Sequence, residues 1–211
     1  MKNRVANHPV LPLILERWST RAFDPSRPVE RAELGVIFEA ARWAPSAFNV
    51  QPWRFVFALR GETGWDAMKD VLIPFNQSWA GSAGALICVV SQADAPGNSP
   101  GERFPSYSHS FDAGAAWALL ALQAHSLGLS THAMTGFDVE RCKTVLKLPI
   151  NMRPEAIVAV GRAGSADHLP EGLRERDAPS GRQAIEELVY EGTFGAPIDA
   201  SSPRRGDVNG V

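Results

Sequence analysis

Cysteine is scarce in this sequence of 211 residues, which contains only Cys88 and Cys142. Two cysteines cannot build a disulfide framework or a multi-cysteine metal cluster. The five histidines show no ligand spacing on one helix face, so a metal site is not predicted. G-x-G-x-x-G after a strand and G-x-x-x-x-G-K-[ST] are also missing, which leaves Rossmann and P-loop nucleotide binding without support. Since G-x-S-x-G is absent as well, a hydrolase triad is not indicated.

The sequence also lacks a charge excess and a long apolar run. Its formal net charge is −2, which argues against nucleic-acid binding and against a polybasic membrane anchor. Pro12 and Glu16 interrupt the apolar stretch near the N-terminus, and no run of about 20 apolar residues, the length that spans a bilayer, occurs. No signal peptide is predicted. We therefore expect a cytoplasmic protein with neither nucleic acid nor membrane as a partner.

The composition is nevertheless sufficient for a substantial hydrophobic core. Apolar residues make up 45% of the chain, which is typical of globular proteins. No internal repeat and no linker is visible. We predict a single domain over residues 1–199 and a loosely held tail over residues 200–211.

Apolar periodicity predicts a helix near the N-terminal end. Within residues 28–43, Leu34, Ile37, Phe38 and Ala41 recur at the i, i+3, i+4, i+7 spacing of one helix face. Further helices are predicted over residues 10–18 and 64–72, after the N-cap residue Asp138, and after a capping box at residues 180–183.

The most apolar helix is predicted over residues 111–128. One stripe of this helix is formed by Trp117, Leu120, Ala121, Ala124 and Leu127. Alanines cover most of the remaining surface, and a helix that is apolar nearly all round is expected to be buried. Its small residues would permit close helix packing, including packing against a second subunit.

Four apolar strands alternate with these helices, over residues 53–59, 85–91, 129–135 and 155–161. The second is a continuous apolar run, which indicates burial on both faces. Residues 92–106 are rich in Pro, Gly, Ser and Asn and predict a mobile surface loop. The expected fold is α+β, with a central sheet covered by helices on both faces.

A short basic segment follows the first predicted helix. Arg17, Ser19 and Arg21 occupy alternate positions, so in extended chain they would project to one side. Two guanidinium groups and a hydroxyl on one side suit a phosphate or a carboxylate. The alternative is a solvated surface with ordinary ion pairs, and the spacing alone favours this alternative.

The loop over residues 45–53 has an unusual composition. If the loop is a plain helix-to-strand connection, Pro45 and Pro52 are explained because they stiffen it. The amides of Asn49 and Gln51 are then left unexplained. A second loop, over residues 134–138, contains a glycine and an N-cap residue. It is either a helix start alone or a place where a ligand approaches the backbone closely.

In combination, these motifs resemble the nitroreductase family of FMN-dependent oxidoreductases. The resemblance covers about residues 10–195 and includes "RWSTRAF" (17–23), "PSAFNVQPW" (45–53), "FNQSW" (75–79), "GFD" (136–138) and "PSGRQ" (179–183). It implies a central, mostly antiparallel sheet flanked by helices. It also implies an intertwined homodimer with two FMN sites, each built from both chains.

The resemblance assigns FMN-binding positions to each chain. From one subunit it implies Arg17, Ser19, Arg21, Asn76, Thr135, Gly136 and Arg182, and from the other Pro45, Ser46, Ala47 and Asn49. Arg17 and Arg182 would contact the phosphate. Arg21 would lie near the pyrimidine edge of the flavin. Thr135 and Gly136 would present backbone N–H groups near the flavin N5.

The resemblance also implies an NAD(P)H-dependent oxidoreductase whose chemistry is centred on the flavin, without a catalytic side chain. NADH or NADPH would reduce FMN, leave, and be replaced by a small electron-poor acceptor (nitroaromatic, quinone or flavin-like), which gives ping-pong kinetics. Two alternatives stay open: a flavin-binding protein for storage or sensing, and a non-catalytic dimeric α+β module.

Three positions depart from the family pattern. Ala47 stands where many relatives have a second serine, so one hydroxyl contact is expected to be missing. Trp79 stands where some relatives have a lysine, so support for reduced flavin would rest on Arg21. Thr135 stands where some relatives have a glutamate, which we expect to alter substrate preference rather than contacts at N5.

Overall fold

The computed structural model describes residue 4 and residues 6–198. Two compact units are distinguished, one that ends at Pro179 and one that begins at Ser180. In the described part of the chain, no helix is long and apolar enough to cross a membrane. The predicted tail over residues 200–211 lies outside the described residues, and the single domain over residues 1–199 stays a prediction.

The first unit alternates helices with strands. Its described α-helices are α1 (Pro12–Glu16), α2 (Arg31–Arg42), α3 (Trp65–Asp70), α4 (Pro74–Ala80), α5 (His109–Ser126), α6 (Val139–Val145) and α7 (Glu171–Arg174). Its described strands are β1 (Trp53–Leu59), β2 (Ala85–Gln92), β3 (Asp94–Pro96), β4 (Arg103–Pro105), β5 (Ser130–Met134) and β6 (Met152–Gly161). The four predicted core strands are confirmed as β1, β2, β5 and β6.

The central sheet has the strand order β1-β2-β6-β5, and each neighbouring pair is antiparallel. Val56 of β1 lies opposite Cys88 of β2, and Leu86 of β2 lies opposite Ala159 of β6. On the other side of β6, Ala159 lies opposite His132 of β5. The predicted α+β class, with an antiparallel sheet flanked by helices, is confirmed.

Both faces of this sheet are covered, because successive side chains of a strand point to opposite faces. On β2, Leu86 and Cys88 face a core that includes residues of α3, α4 and α6. The alternate side chains Ala85 and Ile87 face a second core that includes residues of α2 and α5. Every residue of β2 before Gln92 is buried. We refer to these as the α4 face and the α5 face of the sheet.

Helix α5 is covered on one side only within the chain. Ala113, Ala116 and Leu120 are fully buried on the sheet. Phe111 is 82% exposed, and Ala118 is exposed as well. An apolar side of α5 therefore faces outward in one chain, and its burial against a second subunit stays a prediction.

The segment predicted to be a mobile loop over residues 92–106 contains a two-stranded ribbon of β3 and β4. Within the ribbon, the guanidinium of Arg103 lies 2.6 Å from the carboxylate of Asp94, and from outside the ribbon the amide of Asn151 donates to the same carboxylate. These hydrogen bonds, the one from Arg103 above all, hold the pKa of Asp94 well below its usual range. The loop prediction was wrong because composition alone does not report such pairings between distant residues.

The second unit differs from expectation in its local structure. In place of a helix after the capping box at residues 180–183, the described residues form a single 3-10 turn over Ile185–Glu187. Ala184 precedes this turn and makes no side-chain cap. The helix prediction was wrong here because the stretch that follows is largely exposed, so no packed face stabilises it.

Candidate functional site

The basic segment after α1 brings two of the predicted site residues together. Nη1 of Arg17 donates a hydrogen bond to Oγ of Ser19 at 3.3 Å. Nη1 of Arg4 lies against the same stretch, where it donates to the carbonyl oxygens of Leu15 and Arg17 at 2.7 and 2.6 Å. Arg17 itself has extended backbone geometry, as the alternating pattern requires. This end of the chain therefore gathers positive charge.

The carboxylate of Asp177, which no sequence motif indicated, binds Thr20 and Arg21 of the same segment. Asp177 accepts a hydrogen bond from Oγ1 of Thr20 through Oδ2 and one from the backbone N–H of Arg21 through Oδ1, both at 2.7 Å. The carbonyl oxygen of Thr20 in turn accepts from Nδ1 of His132 at 3.0 Å. These contacts join residues more than 100 positions apart, so no local motif could have pointed to Asp177.

Arg21 lies beside the buried ring of Trp79, which contacts the half-buried ring of His132. Its guanidinium carbon is 5.9 Å from the centre of the Trp79 ring, and the Trp79 and His132 rings are 4.6 Å apart. Burial lowers the pKa of His132, and the Arg21 cation lowers it further, against the raising effect of the hydrogen bond to Thr20. In the described part of the chain, Nε of Arg21 and Nε1 of Trp79 are buried without a hydrogen-bond partner.

The predicted glycine of the second loop makes a close approach to α4. The side-chain amide of Asn76 donates to the carbonyl oxygen of Gly136 at 2.9 Å, and the backbone N–H of Ile73 donates to the same oxygen at 3.1 Å. A Cβ atom on Gly136 would lie 2.7 Å from Cδ1 of Ile73 and 2.8 Å from Nδ2 of Asn76. A side chain at this position would therefore force the ends of the Ile73 and Asn76 side chains to shift, and Thr135 beside it is exposed.

The loop over residues 45–51 has an unusual backbone. Phe48, Asn49 and Gln51 have φ angles of 50°, 56° and 52°, in the left-handed region that asparagine tolerates and bulky residues rarely adopt. The amide of Gln51 donates to the carbonyl oxygen of Asn49 at 3.1 Å. Local structure therefore uses the Gln51 amide, so the prediction that a plain connection leaves Gln51 unexplained was wrong. The positive φ favours asparagine over a bulky residue at position 49.

The two groups of predicted site residues lie on different faces of the sheet within one chain. Ala44 and Trp53, which flank the loop, pack in the core of the α5 face. Trp79, which contacts Arg21, packs in the core of the α4 face. Arg21, Asn76 and Gly136 therefore lie on the α4 face, whereas the residues that flank the 45–49 loop lie on the α5 face.

Arg182 belongs to the second unit and is exposed. Its guanidinium donates to the carbonyl oxygen of Gly181 at 2.9 Å and to Ser180 at 3.3 Å. The described residues contain no group of three or more His, Cys, Asp or Glu that could hold a metal ion. The first unit thus offers the guanidinium groups of Arg17 and Arg21, which suit an anionic ligand.

Comparison with known proteins gives one consistent result. The family model described as "Nitroreductase family" matches residues 14–162. A solved structure described as an oxidoreductase containing FMN shares 43% identity at a TM-score of 0.88, over 93% of this chain and 100% of that chain. A 15.4 kDa protein of Mycolicibacterium smegmatis is 37% identical over 69% of this chain and 99% of its own. An NADH dehydrogenase of Thermus thermophilus is 29% identical, over 83% and 92% of the two chains.

Proposed function

Since this chain belongs to the nitroreductase family, we propose that it is an FMN-dependent oxidoreductase that uses NADH or NADPH to reduce small electron-poor acceptors. The observation that carries this proposal is the 43% identity, across 93% of the chain, to an oxidoreductase that contains FMN. The name of the Thermus thermophilus relative, NADH dehydrogenase, supports a nicotinamide donor. A cytoplasmic location would supply that donor.

The residues of the α4 face fit such a cofactor. The buried Nε of Arg21 has no hydrogen-bond partner among the described residues, which suits a ligand that presents an acceptor atom to it. Arg17, with Ser19 beside it, would bind the phosphate, whose charge favours guanidinium partners. Asn76 would support the pyrimidine edge together with Arg21.

The remaining positions complete the cofactor contacts. Thr135 and Gly136 would bring backbone N–H groups to the ring system, and Arg182 would add a second cation at the phosphate. FMN supplies the electron-transfer chemistry when it is bound. The protein binds and orients it, excludes water from one side, and places positive charge beside the edge that gains electrons.

We propose that the other half of each site comes from a second copy of the chain. Pro45, Ser46, Ala47 and Asn49 lie in the loop that one chain presents on the α5 face. The outward apolar side of α5, which includes the 82% exposed Phe111, supports a homodimer built on this helix. An interface that covers it should be core-like and larger than about 2,000 Å² in total.

The proposed acceptors are nitroaromatic, quinone or flavin-like compounds, which would use the same position as the nicotinamide in turn. Two experiments test the proposal. The visible spectrum of the purified protein should be that of a flavin, and double-reciprocal plots for NAD(P)H oxidation with a quinone or a nitroaromatic acceptor should be parallel. Bound FMN without NAD(P)H oxidation would instead favour a storage or sensing role, and intersecting plots would exclude the ping-pong order.

A further inference from the structure

The loop over residues 46–51 holds a conformation that its own residues do not favour. Three residues other than glycine have positive φ, and the side chain of one of them, Phe48, is fully exposed, so no packing of that side chain compensates for its strain. Residues in such conformations persist only when their surroundings hold them. The contacts that hold this loop therefore determine what it can present to a ligand.

Most hydrogen bonds of the loop are internal. The N–H groups of Asn49 and Gln51 donate to Ser46, to its carbonyl oxygen at 3.1 Å and its Oγ at 3.0 Å respectively. These bonds shape the loop but do not fix it to the rest of the chain. Within the described residues, the loop makes two hydrogen bonds to other elements: Nη1 of Arg54 in β1 donates to the carbonyl oxygen of Gln51 at 3.0 Å, and the N–H of Ala47 donates to Oδ2 of Asp112 at 3.2 Å.

Asp112 lies in the first turn of α5 and is 4% exposed. Its Oδ2 atom also accepts a hydrogen bond from Oγ of Ser108 at 3.0 Å. A negative charge is stabilised near a helix N-terminus, but an exposed aspartate would serve that purpose equally well. This side chain is instead buried, and it reaches out of its own helix to a backbone N–H group 65 positions earlier.

We propose that Asp112 is a positioning residue for the FMN site, and that it acts on the site completed by the partner subunit. This inference rests on the proposed function. Through its hydrogen bond to the N–H of Ala47, Asp112 holds the strained turn in the position in which Ser46 and Asn49 contact the cofactor bound by the other chain. The residue itself does not touch FMN.

The first test compares two substitutions at this position. Asp112→Ala removes the acceptor and should raise the FMN dissociation constant about tenfold or more, because hydrogen bonds to charged groups are the stronger ones. Asp112→Asn keeps one oxygen that can accept from both Ala47 and Ser108, so it should restore most of the affinity. Ser108→Ala is the matched control, since it removes the other bond to the same oxygen without touching the loop, and it should leave the affinity within about threefold. Equal affinities for Asp112→Ala and the wild type would overturn the inference.

The second test asks which chain the residue serves. Asp112→Ala chains are unfolded and refolded together with Arg17→Ala chains, and separately with Asn49→Ala chains. If Asp112 acts through the loop, the heterodimer with Arg17→Ala keeps one normal FMN site, whereas the heterodimer with Asn49→Ala keeps none. The opposite pairing would show that Asp112 serves the site of its own chain. This pattern separates a positioning role from general destabilisation, which would impair both mixtures alike.

A third measurement needs no substitution and covers the case in which Asp112→Ala does not fold. In the wild-type protein the N–H of Ala47 should exchange with deuterium more slowly than the N–H of Phe48, because only the former meets a buried carboxylate. Equal exchange rates would overturn the proposed hold on the loop. If the wild type binds no FMN at all, the proposed function fails first; if it binds FMN but Asp112→Ala binds equally well, only this inference fails.

Discussion

The guanidinium carbon of Arg21 lies 5.9 Å from the centre of the Trp79 ring, and the Trp79 side chain is itself 2% exposed. A cation over an aromatic ring is attracted to its face, so Trp79 helps to fix the direction in which Arg21 points. Trp79 also fills a position where a lysine would place a second cation. Arg21 is therefore the charge on which the redox properties of the site should depend.

Arg21→Ala should lower the midpoint potential of the bound flavin, because it removes the positive charge that stabilises the reduced, more negative form. For a two-electron couple, a shift of about 30 mV corresponds to about 1.4 kcal/mol, and we expect a shift of at least this size. Equilibration with reference dyes measures it. Arg17→Ala is the control, since it should weaken binding with little effect on the potential. An unchanged potential in Arg21→Ala would refute the assigned role.

FMN should bind at least about tenfold more tightly than riboflavin, because a charged hydrogen bond contributes about 1.5–3 kcal/mol. The difference depends on the cations proposed for the phosphate, Arg17 and Arg182. Fluorescence titration of the apoprotein with both flavins measures it. Arg17→Ala should reduce the preference for FMN, and equal affinities in the wild type would show that no phosphate site exists.

Gly136→Ala should weaken FMN binding and destabilise the protein by about 1–3 kcal/mol, the usual cost of overpacking. Its Cβ would lie under 3 Å from both Ile73 and Asn76, which must shift to make room. Gly35→Ala is a suitable control, because a Cβ at this position in α2 meets nothing within 4 Å and alanine favours the helix. Thermal unfolding and FMN titration of both variants give the comparison, and normal binding by Gly136→Ala would argue against this part of the site.

Stability should fall below about pH 6.5 in a way that depends on His132. Burial and the nearby Arg21 hold the pKa of His132 below its ordinary value of 6.5, while Asp177 and the carbonyl oxygen of Thr20 partly oppose them. The unfolded chain therefore binds a proton more readily than the folded one. The contribution of neutral His132 is complete above pH 6.5 and is lost as the pH falls towards the lowered pKa. His132→Asn keeps a donor for the carbonyl oxygen of Thr20 and should reduce the change with pH, over this range, in the free energy of unfolding measured with urea. An identical pH dependence in both proteins would contradict the role assigned to His132.

Local patterns were sufficient to predict the four strands of the central sheet, but not the contacts that organise the candidate site. Strand β1 spans the same residues, 53–59, as the predicted apolar strand. Asp138 caps α6 as predicted, because its side chain accepts a hydrogen bond from the N–H of Arg141 at 2.9 Å. By contrast, the roles of Asp112 and Asp177 depend on partners 65 and 156 positions away. The positive φ of Phe48 also had no sequence signal, since phenylalanine does not favour that region.

A mixed dimer tests whether each cofactor site is built from two chains. Chains with Arg17→Ala and chains with Asn49→Ala are unfolded and refolded together, and the heterodimer is titrated with FMN. One site of the heterodimer contains both substitutions and the other contains neither, so one of the two sites should bind FMN with normal affinity. Binding no better than the average of the two parent variants, or a flavin-bound monomer in sedimentation, would contradict it.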